Sequence, residues 1–111
     1  MNTITWNDFE QIDIRTGTIL EANDFPKARK PAYQLIIDFG PLGIKRSSAQ
    51  ITHHYSKTDL VNKQVIAVVN FPAKQIAGFF SECLVLGIYD ENNDVVLLSP
   101  DKPVANGQKI G

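Results

Sequence analysis

One cysteine, one tryptophan and one methionine are all that these residue types contribute to the 111-residue sequence. A lone Cys83 excludes an intramolecular disulfide. Its place in the apolar run Cys83 to Leu86 predicts a small buried hydrophobe rather than a reactive thiol. No apolar run approaches the length of about eighteen residues that spans a membrane, and the opening MNTITWNDFE lacks the basic and apolar regions of a secretory signal. A cytoplasmic protein without membrane insertion is expected. Phosphate-cradling motifs of the GxGxxG or GxxxxGK[ST] kind are absent, and so is the GxSxG elbow of an activated serine. Ser47, Ser48, Asp38 and a histidine form a triad only on paper, so no catalytic residue, enzyme activity or cofactor is expected. His53 and His54 are adjacent, which on a helix sets them about 100° apart, and no cysteine or carboxylate stands near them at ligand spacing. A metal centre is not expected either.

The composition, 43% hydrophobic and 21% charged, is that of one globular domain spanning 1–111, large enough to bury a core without staples. The formal charge of −1 conceals an uneven distribution. Residues 25–80 carry eight bases (Lys27, Arg29, Lys30, Lys45, Arg46, Lys57, Lys63, Lys74) against Asp38 and Asp59, whereas the flanks carry three bases against ten acids. If those bases converge in space they make one face suited to an anionic partner; if they disperse they are an ordinary solvated surface.

Thr5, followed three residues later by Asp8, predicts a capped N-terminal helix or turn ending near Gln11, an arm over 1–11. Ile12 to Leu20 alternates with a period of two. Ile12, Ile14, Thr16, Thr18 and Leu20 lie on one side, and Gly17 on the other suits a bend or bulge. The loop NDFPKARKP, residues 23–31, brackets three cations with two prolines. Tyr33 to Phe39 alternates again and turns through Gly40, Pro41 and Gly43 into Ile44 to Ile51, a hairpin whose second arm reads as exposing Lys45, Arg46, Ser47, Ser48 and Gln50. A short helix is expected over 52–60, with Thr52 or Ser56 as its cap. Gln64 to Asn70 and Leu84 to Ile88 are almost wholly apolar, which predicts strands buried on both faces and in need of cover from a helix or a second subunit. Asp90 to Asp94 is a polar turn, Val95 to Leu98 another strand, and all six prolines fall between predicted strands. The fold class is therefore all-β. A five-stranded barrel (12–89) with a helix between its third and fourth strands is the OB architecture, and residues 90–111 are an addition to it.

The stretch NFPAKQIAGFFSECLVLG, residues 70–87, sets six apolar residues and Lys74 between two buried strands. An apolar connection is unusual on a protein surface, so Phe79 or Phe80 folds back as a lid or the segment is a contact surface. Two mechanisms compete. Phe71, Ile76, Phe79 and Phe80 line an apolar groove for exposed polypeptide, or the cations neutralise phosphates while Tyr33, Phe71 or Phe79 stacks on bases.

DIRTGTI (13–19), IKRSSAQI (44–51) and NFPAKQIAGFFSE (70–82), in that order and spacing, resemble the tRNA-binding OB-domain family, found appended to aminoacyl-tRNA synthetases and as stand-alone dimers. DFPKARKPAYQLIIDFGPLGIKRSSAQIT and VIAVVNFPAKQIAGF are similar in particular to the family's small export-related chaperones, over residues 8–111. The resemblance implies a homodimer joined through the C-terminal extension and no catalysis. For the chaperone members it implies unfolded or precursor polypeptides as clients and the secretion machinery as a further partner. The alternative, a tRNA or structured-RNA binder, would use Lys45, Arg46, Ser48, Asn70, Lys74 and Ser81, with Arg29 and Lys30 from the neighbouring loop. The tRNA-binding members' loop reads roughly N-L-K-P-x-K-M-R-G-x-x-S. Asn70, Gly78 and Ser81 match it, but Pro72, Gln75 and Ala77 stand where that pattern carries cations. Losing three phosphate contacts flattens the salt slope by about 0.7–0.9 each, which favours a peptide groove over a phosphate clamp.

Overall fold

The computed structural model describes all residues, 1–111. Thr5 accepts from the Asp8 backbone and Asp8 returns a carboxylate to the Thr5 N–H, a reciprocal cap that starts α1 (Trp6–Glu10) where the sequence predicts it. Five strands follow in one antiparallel sheet. They are β1 (Ile14–Asp24), β2 (Tyr33–Asp38), β3 (Ile44–Ala49), β4 (Gln64–Val68) and, after a separate hairpin, β7 (Leu84–Val85), in the spatial order β3-β2-β1-β4-β7. The sheet curls until β3 approaches β7. The Ser47 hydroxyl donates to the Cys83 carbonyl at 3.0 Å and the Glu82 N–H to the Arg46 carbonyl at 2.7 Å, which nearly closes an OB barrel.

Ile19, Leu35, Ile37, Phe39, Leu60, Val65 and Ala67 fill the interior with no exposed surface, each large side chain contributing roughly 1.5–3 kcal/mol by leaving water. Alternation places β2 correctly but misorients β1. The interior receives Gly17 and Ile19, not the side that carries Ile14, Thr16 and Leu20. A Cβ on Gly17 would stand 2.7 Å from both Ile37 and Phe39, so only glycine fits. Pairing slips between Ile19 and Glu21, a bulge that leaves Leu20 exposed.

Ile14 and Thr16 are nevertheless buried, because the chain's own C-terminal segment binds there. Thr16 donates its N–H to Gln108 and its hydroxyl to Ala105, and receives the Gly107 N–H, while Ile110 donates to Ile14. The side of β1 that β2 leaves open over residues 14–17 is thereby paired. Of the two stretches read as buried on both faces, β4 keeps Val65, Ala67 and Val68 buried, whereas Leu84 to Ile88 is divided between two short strands and leaves Leu84 and Ile88 exposed.

Between β3 and β4 the chain makes a turn over 52–54 and only then α2 (Lys57–Leu60), capped by Ser56 and Asp59. The helix occupies the expected slot but is shorter than predicted, since Ser56 satisfies the first free amides and everything before it is non-helical. Ser47, read from the sequence as exposed, is fully buried by its bond to Cys83. The stretch after Asn70 is a hairpin rather than a loop. β5 (Lys74–Ile76) pairs with β6 (Phe79–Ser81), and Ala77 and Gly78 both take positive φ at its tip, the backbone of a type I′ turn. A last hairpin, β8 (Gly87–Tyr89) with β9 (Val95–Leu97), carries the chain through the Asp90–Asp94 turn. No helix is long and apolar enough to cross a membrane.

Candidate peptide and nucleic-acid interface

The β5–β6 hairpin presents unlike faces because neighbouring strand residues point opposite ways. Ile76 and Phe79 are cross-strand partners on one face, and Gln75 and Phe80 on the other. Phe79 turns inward. It forms a small second cluster with Phe25 and Ala32, its ring centroid 5.4 Å from that of Phe25 at 59°, and Ile76 packs on that cluster half-buried. The Arg46 guanidinium covers Phe79 at 5.4 Å from its centroid. Of the four apolar residues read as peptide contacts, Phe71 (55% exposed) and Phe80 (44%) face solvent, and Phe79 is the lid.

Two clefts flank the hairpin and meet at Lys74. The first, about 530 Å³, is lined by Phe71, Pro72, Ala73 and Leu84, with Lys74, Ser81 and Glu82 as its polar members and Cys83 beneath. Burial pushes the Cys83 thiol up to about 11, against weaker opposing effects from Ser47 and Lys45, so it stays protonated and unreactive at neutral pH. The second cleft, about 730 Å³, runs between β5, the end of β3 and the loop before β2. Lys27, Arg29, Lys30 and Lys74 line it together with Ser48, Gln50 and Gln75, and no acidic residue does.

The residues read as an RNA site divide accordingly. Arg29, Lys30, Ser48 and Lys74 are brought together in the basic cleft, whereas the others are not. Arg46 lies against Glu82, whose carboxylate also accepts the Arg46 N–H at 3.0 Å. Lys45 stands elsewhere on β3, opposite Ile37. Asn70 is a tether, its amide oxygen accepting the Asp13 N–H at 3.0 Å and its amide donating to the Gln11 carbonyl at 2.8 Å. Ser81 accepts the Ser48 N–H at 3.1 Å and so ties the hairpin to β3. Tyr33, considered as a stacking platform, spends its hydroxyl on the Tyr55 carbonyl. Lys27, read with Arg29 and Lys30 as one of the loop's phosphate-neutralising cations, joins them in the basic cleft, whereas the linings of Gln50, Gln75 and Leu84 are missed from the sequence.

His53 and His54 lie in the turn before α2, with Asp94 and Asp90 across from them. The Asp94 N–H, and after it His54, holds the Asp90 carboxyl below its usual range.

Residues 14–109 match the family described as a putative tRNA binding domain. The chain is 34% identical over 110 residues to a methionine–tRNA ligase of Methanocaldococcus jannaschii and 36% over 107 residues to that of Porphyromonas gingivalis. It covers 99% and 96% of itself there but only 17% and 15% of those enzymes. Among solved structures, the chaperone CsaA of Bacillus anthracis superposes with a TM-score of 0.94 at 52% identity, over 99% of this chain and 100% of that one. The CsaA chaperone of Picrophilus torridus gives 0.92 at 56%, over 98% and 100%. The matched residues, the nearly closed barrel and these whole-length likenesses agree: the chain belongs to the tRNA-binding-domain family and, within it, to the group that contains the CsaA proteins.

Proposed function

We propose that the protein is a homodimeric cytoplasmic chaperone that binds exposed peptide segments of unfolded or export-bound polypeptides, among them precursors passed to the secretion machinery. The observation that carries this reading is the cleft of Phe71, Pro72, Ala73 and Leu84, apolar and open, with Lys74 and Glu82 at its rim to orient a peptide. Its likeness along the whole chain to two CsaA chaperones supports it. Binding, not catalysis, is the activity. The dimer is supported by Ile88 and Val96, cross-strand partners on β8–β9 that are both exposed.

A second reading, tRNA or structured-RNA binding, is favoured by one specific observation. Four cations line the second cleft with no acid among them. Titrating an unfolded peptide and labelled tRNA at low and high salt separates the two. Peptide binding that survives high salt supports the chaperone. Tight tRNA binding with no peptide binding at either salt overturns it. Sedimentation tests the dimer, and a 12.3 kDa species alone at micromolar concentration refutes it.

A further inference from the structure

The turn over 52–54 undoes the geometric objection to two adjacent histidines sharing a ligand. Their rings lie 4.9 Å apart, centroid to centroid, and nearly perpendicular at 82°. Facing them is the Asp90–Asp94 turn of the β8–β9 hairpin, far away in sequence. Asp90 accepts the N–H groups of Asn92 and Asp94 with Oδ1, which leaves Oδ2 for His54 Nε2 at 2.7 Å. Asp94 Oδ2 is 3.5 Å from His53 Nε2. One ring nitrogen of each histidine and one carboxylate oxygen of Asp94 all lie within 4.8 Å of one another. Neither Asp90 nor Asp94 is ion-paired with a lysine or arginine.

We propose that His53, His54 and Asp94 bind a first-row divalent transition-metal ion, zinc by preference, with Asp90 steadying the His54 ring. Two imidazoles and a carboxylate are a borderline-soft donor set that suits zinc, nickel or copper and not the all-oxygen demands of magnesium or calcium. Donors of a tetrahedral zinc stand ~3.4 Å apart, so the three groups draw in modestly. The His53 side chain, 66% exposed, has room to do so. A fourth position is left for water. The carboxylate hydrogen-bonded to a ligating histidine is a recurrent supporting element of such sites. A bound ion would clamp the β8–β9 turn to the segment leading into α2, adding to the Leu97 N–H···Tyr55 hydroxyl bond at 2.9 Å and to the apolar cluster that Ile51 and Leu97 share.

The test uses the untagged full-length protein, stripped with EDTA and titrated with zinc chloride by calorimetry while thermal unfolding is followed in parallel. One zinc per chain and a raised Tm are expected. Free zinc at a hundredfold excess over Kd shifts the unfolding equilibrium about a hundredfold, and magnesium does nothing. H53Q, H54Q and D94N each weaken zinc binding at least tenfold, and D90N weakens it less, with unchanged circular dichroism in the stripped state. Absence of zinc binding by the parent protein overturns the proposal. Undiminished binding in H53Q and D94N also overturns it, and its loss in Cys83→Ser would place the ion at the thiol instead.

Discussion

The two clefts that meet at Lys74 are built from the same hairpin yet offer opposite chemistry. One presents Phe71, Pro72, Ala73 and Leu84 and keeps a cation and an anion, Lys74 and Glu82, within one lining. The other gathers Lys27, Arg29, Lys30 and Lys74 with no acid to offset them. An apolar cleft gains from any extended peptide with alternating hydrophobic side chains and is indifferent to salt. A basic cleft gains from releasing counterions and weakens steeply as salt rises. The difference teaches that the loss of cations at Pro72, Gln75 and Ala77 does not empty the molecule of positive surface. The positive surface of the basic cleft is gathered at Lys74 and on the loop before β2. Both clefts depend on one side chain, because Phe79 seats the hairpin against Phe25.

The largest expected effect comes from removing that seat. Phe79→Ala should cost about 3 kcal/mol in urea unfolding and blur both clefts together. A variant of unchanged stability would mean that the hairpin is held by its ties to β3 instead. Next is the basic cleft alone. Replacing Lys27, Arg29 and Lys30 with alanine should weaken tRNA or another polyanion about a hundredfold at low salt and make the salt slope shallower by about 2, while peptide affinity in a fluorescence titration stays put. Equal losses for both ligands would merge the clefts into one site. The apolar cleft is probed by Phe71→Ala, for which a drop on the order of tenfold in peptide affinity is expected, with tRNA binding unaffected. The smallest effect sharpens the frame that separates them. Ala77 sits at a φ of 47°, a conformation that asparagine tolerates better, so Ala77→Asn should stabilise the hairpin by about 0.5 kcal/mol, read as a small rise in Tm with both affinities retained.

Much of the fold is legible in single residues. Thr5 with Asp8 announces the first helix start, Ser56 is one of the two caps open for the second, and Leu35, Ile37 and Phe39 announce the inward face of β2. The site is less so. Lys74 stands more than forty positions from Arg29 and Lys30, and only the hairpin's lean toward the loop before β2 brings them to one lining. Asn70 and Ser81 match the family pattern, but their polar atoms are spent on Gln11, Asp13 and Ser48, which no linear spacing reveals. Ser47 looks like its exposed neighbours until the barrel's closure supplies Cys83 as its acceptor. His53 and His54 look barren because the carboxylates facing them arrive from residues 90 and 94.

By itself, then, the sequence determined a small all-β barrel with a capped helix between its third and fourth strands, because hydrophobic period and capping chemistry are local and survive any arrangement of the rest. It also determined the family, through three ordered motifs. Tertiary structure alone decided which face of β1 is interior, since Ile14 and Thr16 are as apolar or small as a core requires and only the contact of Gly17 with Ile37 and Phe39 breaks the tie. It alone decided that Phe79 is lid while Phe80 stays exposed, because strand pairing from Lys74 to Ser81 fixes side-chain direction. Charge behaves likewise. The chain carries a surplus of bases in its middle, and long-range packing sorts them into a cleft of four, an ion pair at Arg46 and another at Lys57.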